Sequence, residues 1–94
     1  MRALQIKNQT RKPAFLDIEV PSISPKQVLV KTKACGLNFA DLLMIKGSYQ
    51  ETPPLPFVPG MEIAGNVVAV GHEVVGFKVG DRVAAFPGYG GLAE

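Results

Sequence analysis

Lys31-Thr32-Lys33-Ala34-Cys35-Gly36-Leu37-Asn38-Phe39-Ala40-Asp41-Leu42-Leu43-Met44-Ile45-Lys46-Gly47 changes period in its middle, and that change decides the fold. Read back to Val28, the first part alternates, with Val28, Val30, Thr32 and Ala34 set against Lys31 and Lys33. A period of two marks a half-buried strand, of the kind found in antiparallel sheets. From Phe39 the spacing turns helical, with Phe39, Leu42 and Leu43 on one face. Asn38 is a favoured N-cap, because its side-chain oxygen can accept an orphan N–H of the first turn. Asp41 stands at the third helical position, where a carboxylate complements the positive end of the helix dipole. Lys46 lies in the last turn and Gly47 follows as the stop. The stretch predicts a strand, a tight link and a short helix over 39–46.

Outward from it, strands dominate. Residues 3–6 predict a first strand. Residues 15–20 alternate, with Leu16, Ile18 and Val20 facing one way and Asp17 and Glu19 the other, and Pro21 and Pro25 then mark a turn. Prolines at 53, 54, 56 and 59 make 51–60 an extended connector inside the domain rather than a peptide-ligand motif. Residues 63–70 are apolar enough to predict a strand buried on both faces. Val79-Gly80-Asp81-Arg82-Val83 reads as a turn entering a strand that runs to Phe86. Glycines at 60, 65, 71, 76 and 80 punctuate this region as in the tightly turning strands of a small barrel.

Ninety-four residues fit one small domain, and a 47% hydrophobic fraction argues against disorder. The formal net charge of +2 is too small to indicate nucleic acid or a membrane surface. The charge is uneven. Residues 1–47 hold eight Lys/Arg and three acids, and residues 48–94 hold two and five. Solvated strand faces account for this, because the basic residues alternate with apolar ones. Cys35 is the one cysteine, so no intrachain disulfide forms, which fits a reducing compartment. No signal peptide is visible, and no stretch approaches the roughly 20 apolar residues that cross a bilayer. The expectation is a cytoplasmic protein.

Three further motifs have plainer readings. Gly88-Tyr89-Gly90-Gly91-Leu92-Ala93 follows the pattern of a dinucleotide fingerprint, yet that chemistry needs a helix and a second strand after it. Only Glu94 follows, and Pro87 precedes, so a loop is expected. Gly71-His72-Glu73 offers a single histidine in a glycine-flanked turn, where a catalytic zinc site takes three protein ligands. A surface turn is expected there. Cys35 is expected to be a small core residue.

The block from Lys31 to Asp41, then Pro56-Phe57-Val58-Pro59-Gly60-Met61-Glu62-Ile63-Ala64-Gly65, then Val79-Gly80-Asp81-Arg82-Val83, together resemble the medium-chain dehydrogenase/reductase superfamily. The likeness covers nearly the whole chain. It implies a mainly β fold, a partly open GroES-like β-barrel with one or two short helices. Residues 1–94 would form the N-terminal catalytic domain, truncated and incomplete, with the Rossmann nucleotide-binding domain absent. Zinc-dependent alcohol dehydrogenases of this superfamily have a cysteine ligand where this chain has Asn38 and a histidine ligand where it has Met61. Neither amide nor thioether replaces thiolate or imidazole on catalytic zinc. The departures are similar instead to the zinc-free quinone oxidoreductase branch, related to zeta-crystallin.

That resemblance implies hydride transfer from NADPH to a quinone, enone or related electrophilic carbonyl, with no zinc and no nucleic-acid or membrane partner, in a homodimeric parent. Asn38 would lie beside the nicotinamide and the substrate as the catalytic and cofactor-contacting residue. Tyr49 would line the substrate cleft, with Asp41 a helix-end charge that shares it. Glu62 would be structural, in a buried polar pair. The residues that choose NADPH over NADH would lie in the other domain. The chain alone is expected to be inactive. Two other readings stand beside this one: a non-enzymatic GroES-like co-chaperonin module, and a fragment of a zinc-type alcohol dehydrogenase.

Overall fold

The computed structural model describes all of residues 1–94. Strand β1 (Arg2–Ile6) and strand β2 (Pro13–Asp17) form an antiparallel pair, in register from Arg2 opposite Asp17 to Ile6 opposite Pro13. Strands β3 (Val28–Gly36), β4 (Glu62–Val70) and β5 (Arg82–Ala85) form a second antiparallel sheet in that order. Helix α1 (Phe39–Lys46) follows β3 directly. The fold is mainly β and the two sheets do not close on each other, which is a partly open GroES-like barrel.

The helix occupies the residues predicted for it, but its buried face is Asp41 and Met44, while Phe39 and Leu42 of the predicted apolar face are exposed. Gly47 closes it in the left-handed region, φ 79°, and the N–H groups of Gly47 and Ser48 return to the carbonyls of Met44 and Leu43. Met44 reaches from α1 into the apolar core with Ile6, Phe57 and Met61. Ala40, Ile45, Tyr49 and Leu55 pack around this cluster. The proline-rich connector is pinned to β1 by reciprocal backbone bonds between Ile6 and Phe57, at 2.8 and 3.0 Å.

Three expectations about strands are corrected. The strand predicted over 15–20 is β2, ending at Asp17, because its partner runs out: Arg2 pairs with Asp17, and the Ile18 N–H reaches only the Met1 carbonyl. Val20 is consequently 58% exposed. In β3 the pairing slips between Thr32 and Ala34, which stand opposite Gly65 and Ala64. One extra residue on β3 is a bulge, and it reverses the alternation beyond it. Ala34 is therefore exposed, and Cys35 turns toward the interior. Strand β4 is not buried on both faces. Gly65 and Val67 are buried, but Ala64, Val68 and Val70, on the opposite face, are exposed.

The glycine-rich segment 88–94 is a loop, as expected. It joins the two sheets. Gly90, Gly91 and Leu92 donate to the carbonyls of Val58, Gly60 and Pro59, at 2.6, 3.0 and 2.9 Å. Leu4 of β1 donates to the Leu92 carbonyl, Glu94 donates to the Arg2 carbonyl, and Thr32 of β3 donates to the Glu94 carbonyl.

Candidate functional site

The glycine link between β3 and α1 brings Asn38 to the helix start with extended backbone, φ −123° and ψ 156°. Asn38 and Asp41 form a capping box there, with Asn38 as the expected N-cap. Its firm arm is the Asn38 N–H, which donates to Asp41 Oδ2 at 2.9 Å. The Asp41 N–H goes to the Asn38 backbone carbonyl at 3.0 Å. Asn38 Nδ2 is left buried with no hydrogen-bond partner. A buried donor without an acceptor costs about 1–3 kcal/mol.

Asp41 is 2% exposed. Its second oxygen, Oδ1, accepts the N–H of Gly60 at 3.2 Å. One carboxylate therefore ties the helix start to the turn that opens the second sequence block. Gly60 has φ 109°, a backbone shape that L side chains rarely take, and it is packed too tightly for a β-carbon. A methyl there would lie 2.7 Å from the Leu92 nitrogen and 2.9 Å from Cys35 Sγ. Cys35, at the end of β3, is half-buried at this junction. Burial pushes its thiol up from the ordinary value, and the carboxylates of Asp41 and Glu62 add to the rise by disfavouring a thiolate.

Met61, one residue beyond Gly60, is 5% exposed and belongs to the core cluster with Ile6, Met44 and Phe57. Glu62 is exposed and makes no hydrogen bond or ion pair, so its expected buried polar pair does not form. The reason is its position on the open face of β4, where it covers Gly36. Together they help line an open groove of about 520 Å³ with Ile63, Ala64, Ala85 and Phe86. Tyr49 packs half-buried on the core cluster, and none of Asn38, Asp41 and Tyr49 lines this groove. His72 is exposed in its turn, and no three His, Cys, Asp or Glu side chains among residues 1–94 converge as metal ligands would.

The sequence reading brought Asn38, Asp41 and the Pro59–Gly60 turn to one place only by resemblance. The Gly60 amide as the second partner of Asp41 was missed, and its local signal, a glycine between proline and methionine, reads as mere punctuation.

The family model of the alcohol dehydrogenase GroES-like domain matches residues 24–94. Quinone oxidoreductase-like protein 2 of Bos taurus is 42% identical over 87 residues, which is 92% of this chain and 25% of that protein. The crystal structure of human synaptic vesicle membrane protein VAT-1 homolog-like protein has a TM-score of 0.90 and 38% identity, over 100% of this chain and 31% of its own. The quinone oxidoreductase of Thermus thermophilus, crystallised also in complex with NADPH, has a TM-score of 0.81 and 36% identity, over 100% of this chain and 28% of its own. The chain thus spans between 25% and 31% of the length of these relatives.

Proposed function

Because this chain belongs to the alcohol dehydrogenase GroES-like family, in the quinone oxidoreductase-like branch of the medium-chain dehydrogenase/reductase superfamily, we propose that it forms the substrate side of an NADPH-dependent reductase acting on a quinone, enone or related electrophilic carbonyl. The observation that carries this reading is the buried, unpartnered Nδ2 of Asn38 at a helix start braced by Asp41. An orphaned amide donor is satisfied by a carbonyl or carboxamide oxygen of a ligand, which both the substrate and the nicotinamide possess. The residues present therefore fit the cofactor. When bound, NADPH supplies the hydride, and the protein's share is binding and orientation.

In this reading Asn38 is the contact group, and Asp41 holds it rather than touching the ligand. Tyr49 supports the site from beneath through its packing on the core cluster that includes Met44 and Phe57. No side chain at the site is an obvious general acid, so protons come from water. Zinc is not needed: the positions that would hold it carry an amide at Asn38 and a core thioether at Met61. The nucleotide is held mainly by a domain beyond these residues, in a homodimeric, cytoplasmic parent. The single half-buried thiol supports a reducing setting.

The test is ¹H–¹⁵N spectroscopy of the 94-residue chain. Titration with millimolar cyclohex-2-enone, an electrophilic carbonyl compound, is expected to displace the Asn38 side-chain amide and the backbone amides of Gly36 and Gly60. Asn38→Ala should abolish that response. Displacements centred elsewhere, or none, overturn the reading. So does stoichiometric zinc in the purified chain. NADPH-dependent quinone turnover by residues 1–94 alone would overturn the assignment of nucleotide binding to another domain.

A further inference from the structure

Arg11 is the one non-glycine residue with a left-handed backbone, φ 54°. Side chains with a β-carbon avoid this region, and an observed outlier of this kind points to a role. The turn between β1 and β2 holds it there. The Arg11 N–H donates to the Asn8 carbonyl at 3.0 Å, and Asn8 Oδ1 accepts from the Thr10 N–H at 3.1 Å and from the Thr10 hydroxyl at 2.6 Å.

The guanidinium of Arg11 leaves this turn and reaches the far end of α1. Nη1 lies 3.4 Å from both the Met44 and the Ile45 carbonyl oxygens. The Met44 carbonyl also takes the Gly47 N–H, the Ile45 carbonyl has no backbone donor, and both belong to the last turn, at the negative end of the helix dipole. The group lies directly over Gly47, where a β-carbon would stand 2.7 Å from Arg11 Cζ. Gly47 thus supplies the left-handed stop and also the space the guanidinium occupies. The other end of α1 is held by Asp41 on the Gly60 N–H. The helix is pinned at both ends, about 12 Å apart at 1.5 Å per residue, by a carboxylate at its start and a guanidinium at its finish.

We propose that Arg11 is a positioning residue for the Asn38 site: from the β1–β2 turn it fixes the axial placement of α1, and hence where Asn38 and the Gly60 amide stand. The proposal rests on the reading of Asn38 as the contact group, but its test needs no ligand, so the two can fail separately.

The experiment is amide hydrogen exchange on the 94-residue chain and its Arg11→Gly and Arg11→Lys variants. Glycine relieves the left-handed strain while removing the guanidinium, so the fold is kept and only the tie is lost. Arg11→Gly is expected to speed exchange at the Asn38 and Gly60 amides about tenfold, the size of a local opening, with amides of β3 and β4 unchanged. Arg11→Lys, which keeps a cation but not the planar fork, is expected to fall between. Unchanged Asn38 and Gly60 exchange in Arg11→Gly overturns the proposal. Equal acceleration across β3 and β4 also overturns it, because that is loss of global stability. Repeating the cyclohex-2-enone titration on Arg11→Gly then reads the consequence for the site, expected as a weaker displacement at the same resonances.

Discussion

Asp41 carries its carboxylate at 2% exposure, and neither ion pair in the chain involves it. Backbone N–H groups from Asn38 and Gly60 and the positive end of α1 compensate it instead. An asparagine in its place has one acceptor oxygen and turns a donor toward one of the two N–H groups. Asp41→Asn is therefore expected to cost about 2 kcal/mol. For a domain of this size that lowers Tm by on the order of 10 °C, readable by calorimetry; a Tm indistinguishable from the parent's would contradict the bracing role. Cys35 beside it titrates the other way. Burial and the two carboxylates raise its folded value, so the contribution to stability is complete below the ordinary thiol value and is lost as pH rises through the folded one. Alkylation by iodoacetamide follows the thiolate. Its rate against pH should have a midpoint above that of a free thiol measured alongside, and a midpoint at or below the free one would show the site to be electropositive.

At the scale of elements, the bounds of the helix were legible to the residue, though not its buried face, and the strand bounds were not, for a physical reason. Asn38, Asp41, Lys46 and Gly47 are local signals, and a helix answers mostly to its own sequence. A strand answers to its partner. Nothing within 15–20 says that β1 has no residue left to pair beyond Asp17, and nothing within 28–36 announces the bulge that turns Cys35 inward. The predicted burial of β4 on both faces failed in the same way, since composition cannot show whether a second layer covers a face. The site divides likewise. Asn38 and Asp41 are neighbours at the helix start and could be placed together from sequence, while the Gly60 amide meets that end of α1, and Arg11 the other end, through contacts distant in sequence. Gly60 lets the elements meet: its φ of 109° and the Leu92 nitrogen and Cys35 sulfur beside it leave no space for a methyl. Gly60→Ala is expected to cost about 3 kcal/mol from strain and crowding together. Urea unfolding measures it, and a loss under about 1 kcal/mol would mean that the turn yields without strain.

At the scale of the molecule, the two sheets communicate through narrow contacts. The Ile6–Phe57 bridge ties β1 to the connector that leads into β4, and the segment 88–94 ties β1 to β3. The apolar side chains left in solvent, among them Phe15 at 80%, Phe86 at 71% and Val68 at 45%, lie on sheet faces that residues 1–94 do not cover. Fold class was legible at this scale because strand pattern, glycine spacing and the ordered blocks agree. The degree of closure was not, since it depends on a handful of backbone bonds that any sequence of small residues could make.

The segment 88–94 also sets the order of assembly. Its donors and acceptors belong to residues 58–61, to β3, and to β1, which lies far from it in sequence. The β1–β2 hairpin can form as soon as it is made, because its partners are neighbours. The junction around Gly60 and Cys35 cannot, because its last wall is Gly91 and Leu92. Contacts of such long separation are reached late and slowly. During synthesis, the junction beside the Asn38 turn is therefore expected to be completed only once residues 88–94 have been made.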